Sequence, residues 1–258
     1  MLIDAHAHLD QYPDVMLASV LAEIVAHRIV TVSTSMDLAS FERGEAIAAQ
    51  NQLVLATFGI HPWNASAYEH RLPDLAPVLA RSPMFGEIGL DHRYVEDASE
   101  YPAQQRVFEY FLDAARDQKK IVNLHTSGAE AEVLGGLARY EIRRAIVHWY
   151  DGPLGLIPVL VDQGAYFTVG VEVLFSPRIE AVAREIPVDR LLAETDNPDG
   201  LEWLTGALGM PCRLREVIGK LADVRCTTSD AMARTVDVNF SRLIQDDVRL
   251  VAWRNGCK

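Results

Sequence analysis

The sequence predicts an α/β fold, a slightly irregular (β/α)8 TIM barrel, on three observations. Eight short apolar runs are nearly continuous in β-branched or large apolar residues, as strands buried on both faces of a parallel sheet must be. Longer amphipathic segments lie between them, as crossover helices would. A length of 258 residues suits eight such units. A doubly wound sheet is the alternative, but it needs no eighth strand.

In chain order, the expected strands are 2–5, 29–33, 53–58, 84–88, 121–124, 145–147, 165–169 and 191–193. A helix over 15–25 puts Met16, Leu17, Val20, Leu21 and Ile24 on one stripe. A second over 101–119 spaces Phe108, Leu112 and Ala115 on a common face, widened by Val107 and Phe111. Pro102 falls in its first turn, where a missing N–H costs nothing. Helices over 214–221 and 231–244 close the chain, and Thr227, Thr228, Ser229 and Asp230 offer caps for the last. No linker or composition shift divides the chain, so a single barrel domain over 1–258 is expected.

With 49% hydrophobic residues the chain can bury a sizeable core. Lys and Arg total 24 against 36 Asp and Glu, a net charge of -12. That balance argues against a broad electrostatic grip on nucleic acid or on an anionic membrane. It still allows a phosphodiester substrate where bound cations supply positive charge locally. Cys212, Cys226 and Cys257 are odd in number and widely spaced, against a disulfide framework or a zinc knuckle. No basic-then-apolar leader opens the chain and no membrane-length apolar window occurs, so a cytoplasmic protein is expected.

The chemistry-bearing residues sit at the ends of the expected strands. His6 and His8 end the first, His61 follows the third, and Glu87 and Asp91 frame the end of the fourth. His125 ends the fifth, His148 the sixth, and Asp196 follows the eighth. A barrel opens all these ends onto one face, so residues 190 positions apart meet in one cavity. Residues two apart in a strand share a side, which lets His6 and His8 face one cation. Glu87 is a carboxylate on a buried strand, costly alone and compensated if it bridges cations. Asp196 can hold a metal and accept the proton of an attacking water. His6, His8, Glu87, His125, His148 and Asp196 are too many for one catalytic cation, and suit two that share Glu87. Their nitrogen and oxygen donors fit Mg2+, Mn2+ or Zn2+.

The chain resembles the TatD family of metal-dependent deoxyribonucleases, within the amidohydrolase-like barrel superfamily. The blocks that carry the resemblance are Asp4 to Asp10 around His6 and His8, Gly59 to Trp63 around His61, and Gly86 to Asp91 around Glu87. Gln104 and Phe108, His125, His148, Glu194 to Pro198, and Asn239 with Phe240 follow at compatible spacing. The resemblance implies one metal on His6, His8, Asp196 and Glu87, and a second on Glu87, His125 and His148. It implies that Asp196 orients or deprotonates the attacking water and that His61 contacts phosphate or helps the leaving group. It implies a hydrolase cutting phosphodiester bonds of DNA, single-stranded or frayed, as a 3′-5′ exonuclease with magnesium or manganese. The alternatives are a hydrolase of a small amide, ester or phosphoester, and a partner-dependent nuclease-like subunit of a defence or repair system.

Two departures from the family pattern stand out. Ser127 occupies the place of an arginine, which removes a bidentate phosphate donor. Trp149, Tyr150 and Asp151 follow His148, where an aromatic could stack on a base or serve packing, and Asp151 could repel phosphate. Asp91 is expected to accept hydrogen bonds from the His61 or His92 side or to cap a turn, and Trp63 to shape the rim or turn the chain. Lys119, Lys120, Arg143 and Arg144 precede strands at the opposite end of the barrel, and are expected to be solvated.

Overall fold

Each apolar run forms a strand in the computed structural model, which describes residues 1–257: β1 (Leu2–Ala7), β2 (Ile29–Thr34), β3 (Val54–Thr57), β4 (Phe85–Gly89), β5 (Val122–His125), β6 (Ala145–Val147), β7 (Ala165–Val169) and β8 (Leu191–Ala193). Every strand residue except Leu2 is buried. That is why the runs carry no polar alternation. All pairings are parallel, in the orders β1-β2-β3 and β4-β5-β6-β7-β8. Two seams join the sheets into a (β/α)8-like barrel. At one, Phe58 pairs with Phe85 and the Gly86 N–H donates to Phe58 O at 2.9 Å. At the other, the Asp196 N–H donates to His6 O at 3.1 Å.

The helix Tyr101–Gln118 buries Val107, Phe108, Phe111, Leu112 and Ala115, and Pro102 lies in its first turn, as its pattern predicts. Asp14–His27, Leu214–Val224 and Ser229–Ile244 also form where periodicity places them. The Thr228 hydroxyl caps the last of these at the Ala231 N–H. Within it, buried Asn239 donates to Val188 O and Leu191 O, both at 2.8 Å, which fixes the helix against the start of β8. Helices Ala76–Arg81, Ile157–Asp162 and Pro177–Glu185 have no counterpart in the sequence reading. They run six to nine residues, too short for a 3.6-residue period to emerge. Among the described residues, no helix is long and apolar enough to cross a membrane.

The far end of the barrel corrects one expectation. Lys119 and Arg143 are exposed and Arg144 half-buried, but Lys120 is only 3% exposed. Its ammonium donates to Leu79 O at 2.7 Å and to Ser82 O, at the C-terminus of the helix Ala76–Arg81. It also lies 5.0 Å from the Phe85 ring centroid. Burial pushes its pKa down to about 8, and nearby Arg249 pushes the same way. It thus remains charged at neutral pH, held by carbonyls that have no other buried donor of this kind. Lys120→Met leaves those acceptors unpaired and is expected to cost about 1–3 kcal/mol, a fall in melting temperature of roughly 2–8 °C by thermal scan. A variant as stable as the parent would remove this role.

Candidate metal centre

The strand ends bring every expected donor to one point. Glu87, 2% exposed on β4, turns its two oxygens to opposite sides. Oε2 lies 3.5 Å from His6 Nε2 and 3.2 Å from His8 Nε2. Oε1 lies 2.9 Å from His125 Nδ1, 2.8 Å from His148 Nε2 and 3.4 Å from His61 Nε2. Asp196 Oδ1 closes the first side, 3.5 Å from His6 Nε2 and 3.4 Å from His8 Nε2. Burial opposes ionisation of Glu87, but His148, His61 and His6 outweigh it and hold the carboxyl well below its usual range.

Hydrogen bonds behind His6, His8 and His125 fix which nitrogen of these rings faces inward. Asn123 donates through Nδ2 to Ala5 O, so its Oδ1 accepts from His6 Nδ1 at 3.0 Å. His8 Nδ1 lies 3.2 Å from Thr34 O, a pure acceptor, and so carries the proton. Both Nε2 atoms therefore present lone pairs, only 3.2 Å apart. His125 Nε2 donates to Asp91 Oδ2 at 3.0 Å, leaving Nδ1 to face Glu87. His148 Nε2 faces Glu87 Oε1 at 2.8 Å, while its Nδ1 lies 3.7 Å from Glu194 Oε2, beyond hydrogen-bond reach. Facing lone pairs and carboxylate oxygens repel unless a proton or a cation sits among them. Outer carboxylates and carbonyls that orient metal-binding imidazoles serve this purpose.

The donor set fits divalent cations. Bonds of about 2.0–2.2 Å in tetrahedral or octahedral arrays give ligand–ligand edges of about 2.8–3.6 Å. The separations of 3.2–3.5 Å on one side of Glu87 and 2.8–3.4 Å on the other fall in that range. Three overlapping groups form: His6, His8 and Glu87; His6, His148 and Asp196; His61, Glu87 and His125. Two His/Glu clusters sharing one carboxylate meet the requirement of a two-metal hydrolase.

His61 differs from the other four histidines. Its Nδ1 accepts the Trp63 backbone N–H at 3.2 Å, so Nε2 carries the proton. Burial pushes its pKa down to about 4. It is therefore a neutral donor beside the cluster, 3.3 Å from His125 Nδ1, closer to the centre than the substrate side alone would place it.

Several supporting residues were not legible as such. Asp91 Oδ2 accepts from His125 and from Trp63 Nε1 at 2.7 Å, not from His61 or His92, while its Oδ1 caps the following turn at the Arg93 and Tyr94 N–H groups. His92 instead stacks on Tyr101 with centroids 3.9 Å apart. Gln104 grips both the N–H and the C=O of Asp91. Buried Asp4 accepts from Thr195 N and Oγ1 at 2.9 and 2.6 Å, which pins the turn carrying Asp196. Tyr150 is packing: it is 2% exposed, edge-on to Phe167. Asp151 is ion-paired with Arg93. Asp196 and Trp149 hold φ of 51° and 40°, left-handed values unusual for their types.

Without metal, the site holds protons. Burial works against a charged His8, but Glu87 and Asp196 raise its pKa to about 9, and Glu87 with Glu194 raises that of His148. A cation must displace these protons at neutral pH. Titration calorimetry with Mn2+ at pH 7, in buffers of different ionisation enthalpy, should show release of about one or two protons. Apparent affinity should rise with pH up to about 9. Buffer-independent heats would contradict this.

A family model described as TatD related DNase matches residues 3–245. The chain is 26% identical over 265 residues to the uncharacterized metal-dependent hydrolase YcfH of Escherichia coli K12, covering 95% of this chain and 96% of that one. It is 25% identical over 223 residues to the 3′-5′ ssDNA/RNA exonuclease TatD of Citrobacter koseri, covering 81% and 85%. The crystal structure of YJJV, a TatD homolog from Escherichia coli K12, superposes with a TM-score of 0.85 at 25% identity, covering 94% and 97%.

Proposed function

This chain belongs to the TatD-related DNase family, and on that footing we propose that it hydrolyses phosphodiester bonds of DNA, working from the 3′ end of single-stranded or frayed substrate. The observation that carries the reading is Glu87, whose two oxygens address two separate histidine pairs. His6, His8 and Asp196 with Glu87 Oε2 would hold one cation, and His125 and His148 with Oε1 would hold the other. Bound there, the cations supply positive charge for the attacking and leaving oxygens and make water a competent nucleophile at neutral pH.

The chain's own groups do the rest. The Asp196 side chain is 20% exposed and reaches the cavity, whereas that of Glu87 is 2% exposed. Asp196 is thus the carboxylate placed to take a proton from the attacking water. His61, neutral and protonated at Nε2, donates to a phosphate oxygen. Similarity to the 3′-5′ ssDNA/RNA exonuclease TatD of Citrobacter koseri supports the 3′ polarity. All the metal donors come from one chain, so the centre itself is complete without a residue from a partner. A cytoplasmic setting suits three free thiols, Cys212, Cys226 and Cys257.

The test is a time course on single-stranded DNA labelled at either end, with Mn2+, Mg2+ or EDTA. Stepwise shortening from the 3′ end that stops with EDTA is the expected result. Inert protein with both cations bound would overturn the reading.

A further inference from the structure

We infer that the cleft takes a short substrate, a single phosphodiester with a base beside it, as in a dinucleotide or the terminal linkage of a strand, and disfavours a run of phosphates. The inference rests on the phosphodiesterase reading and adds a length preference to it.

The cavity over the metal centre measures about 970 Å³. Six carboxylates line it, from Glu87, Asp151, Glu172, Asp196, Asp199 and Glu202, and among the described residues no lysine or arginine does. Asp151 is neutralised by Arg93. Glu172 accepts only the Trp149 indole N–H, at 2.7 Å, and neither Asp199 nor Glu202 has an ion pair among the described residues. Ser127 lines the wall with a small hydroxyl where the resemblance leads one to expect an arginine. Two divalent cations less Glu87 and Asp196 would leave a surplus of two positive charges, which one phosphodiester monoanion and the hydroxide that attacks it together offset. The next phosphate outward meets three carboxylates. Each such like-charge pair in a solvated cleft weakens binding roughly three- to fivefold at low salt.

The rest of the lining is aromatic. Trp63, Tyr94 and Trp203 are 52%, 48% and 71% exposed around the mouth, with Tyr94 and Trp203 edge to face at 5.7 Å. Exposed rings of this kind stack on bases without needing charge. Affinity beyond the scissile bond is therefore supplied by rings and opposed by carboxylates. The net charge of -12 extends that opposition to strands of any length.

The experiment compares dithymidine monophosphate, TpT, with dT20 in Mn2+. Cleavage is read as kcat/KM per 3′ end, and binding by tryptophan quenching with the phosphorothioate forms. TpT is expected to match or exceed dT20 in both. The double substitution Glu172→Gln with Glu202→Gln should improve dT20 about nine- to twenty-five-fold at low salt and TpT by less. Raising NaCl from about 20 to 200 mM should narrow the gap, opposite in sign to an ordinary nucleic-acid binder. Tenfold preference for dT20, with affinity that falls as salt rises, would overturn the inference. If neither is cut while TpT binds better than dT20, the length preference stands and the phosphodiesterase reading falls. If neither binds, both fall.

Discussion

Glu87→Gln is expected to lower kcat/KM at least about 10³-fold and to reduce the metal bound from two cations per chain to one or none. The reason is geometric as much as electrostatic. The carboxylate offers one oxygen to His6 and His8 and the other to His125 and His148. An amide keeps one of those oxygens and turns an N–H2 toward lone pairs on the opposite side. It also deletes the negative charge that offsets two dications in a site only 2% exposed. Metal content by mass spectrometry separates this from misfolding, since circular dichroism should be unchanged. A variant that retains two cations and a tenth of the activity would refute the bridging role.

Asp196→Asn is expected to lower kcat by about 10²–10⁴-fold while KM moves less than about threefold. Asparagine tolerates the left-handed backbone at this position, where φ is 51°, as well as aspartate does. The N–H bond to His6 O at 3.1 Å and the turn pinned by Asp4 are therefore retained. The amide oxygen can still face His6 and His8, but it cannot accept a proton from water. Loss of kcat with cation binding largely preserved distinguishes a proton acceptor from a simple ligand. Equal loss of metal and activity would assign Asp196 to ligation alone.

The donors were readable because each stands in a fixed relation to an apolar run, and that relation is one-dimensional. His125 and His148 each close such a run, and β5 and β6 lie side by side in register. What holds the donors was harder to read. Asn123 is a single amide between Val122 and Leu124, and only its position 117 residues from His6 in sequence, bridged at 3.0 Å, gives it meaning. Glu194 sits 46 residues beyond His148, and Asp91 needs the fold to choose His125 over the nearer His92. Lys120 misled for the same reason: its acceptors at Leu79 and Ser82 belong to a helix end that short-range periodicity does not reveal.

The two sheets meet at only two seams, and the donors are divided between them. His6 lies on β1 of the three-stranded sheet and His8 just after it, while Glu87 and His125 lie on β4 and β5 of the five-stranded sheet, and His148 and Asp196 follow its β6 and β8. Cations held by both sets tie the sheets together like a clasp across a split ring. Removing them would return the closure to the hydrogen bonds across the seams, among them Gly86 N–H with Phe58 O, Glu87 N–H with Ser35 O, Asp196 N–H with His6 O and His8 N–H with Asn197 O, and to the packing around them. Loss of metal and the rate at which the barrel comes apart would then be linked, and ions bound by donors of both sheets would also lengthen the life of the folded state.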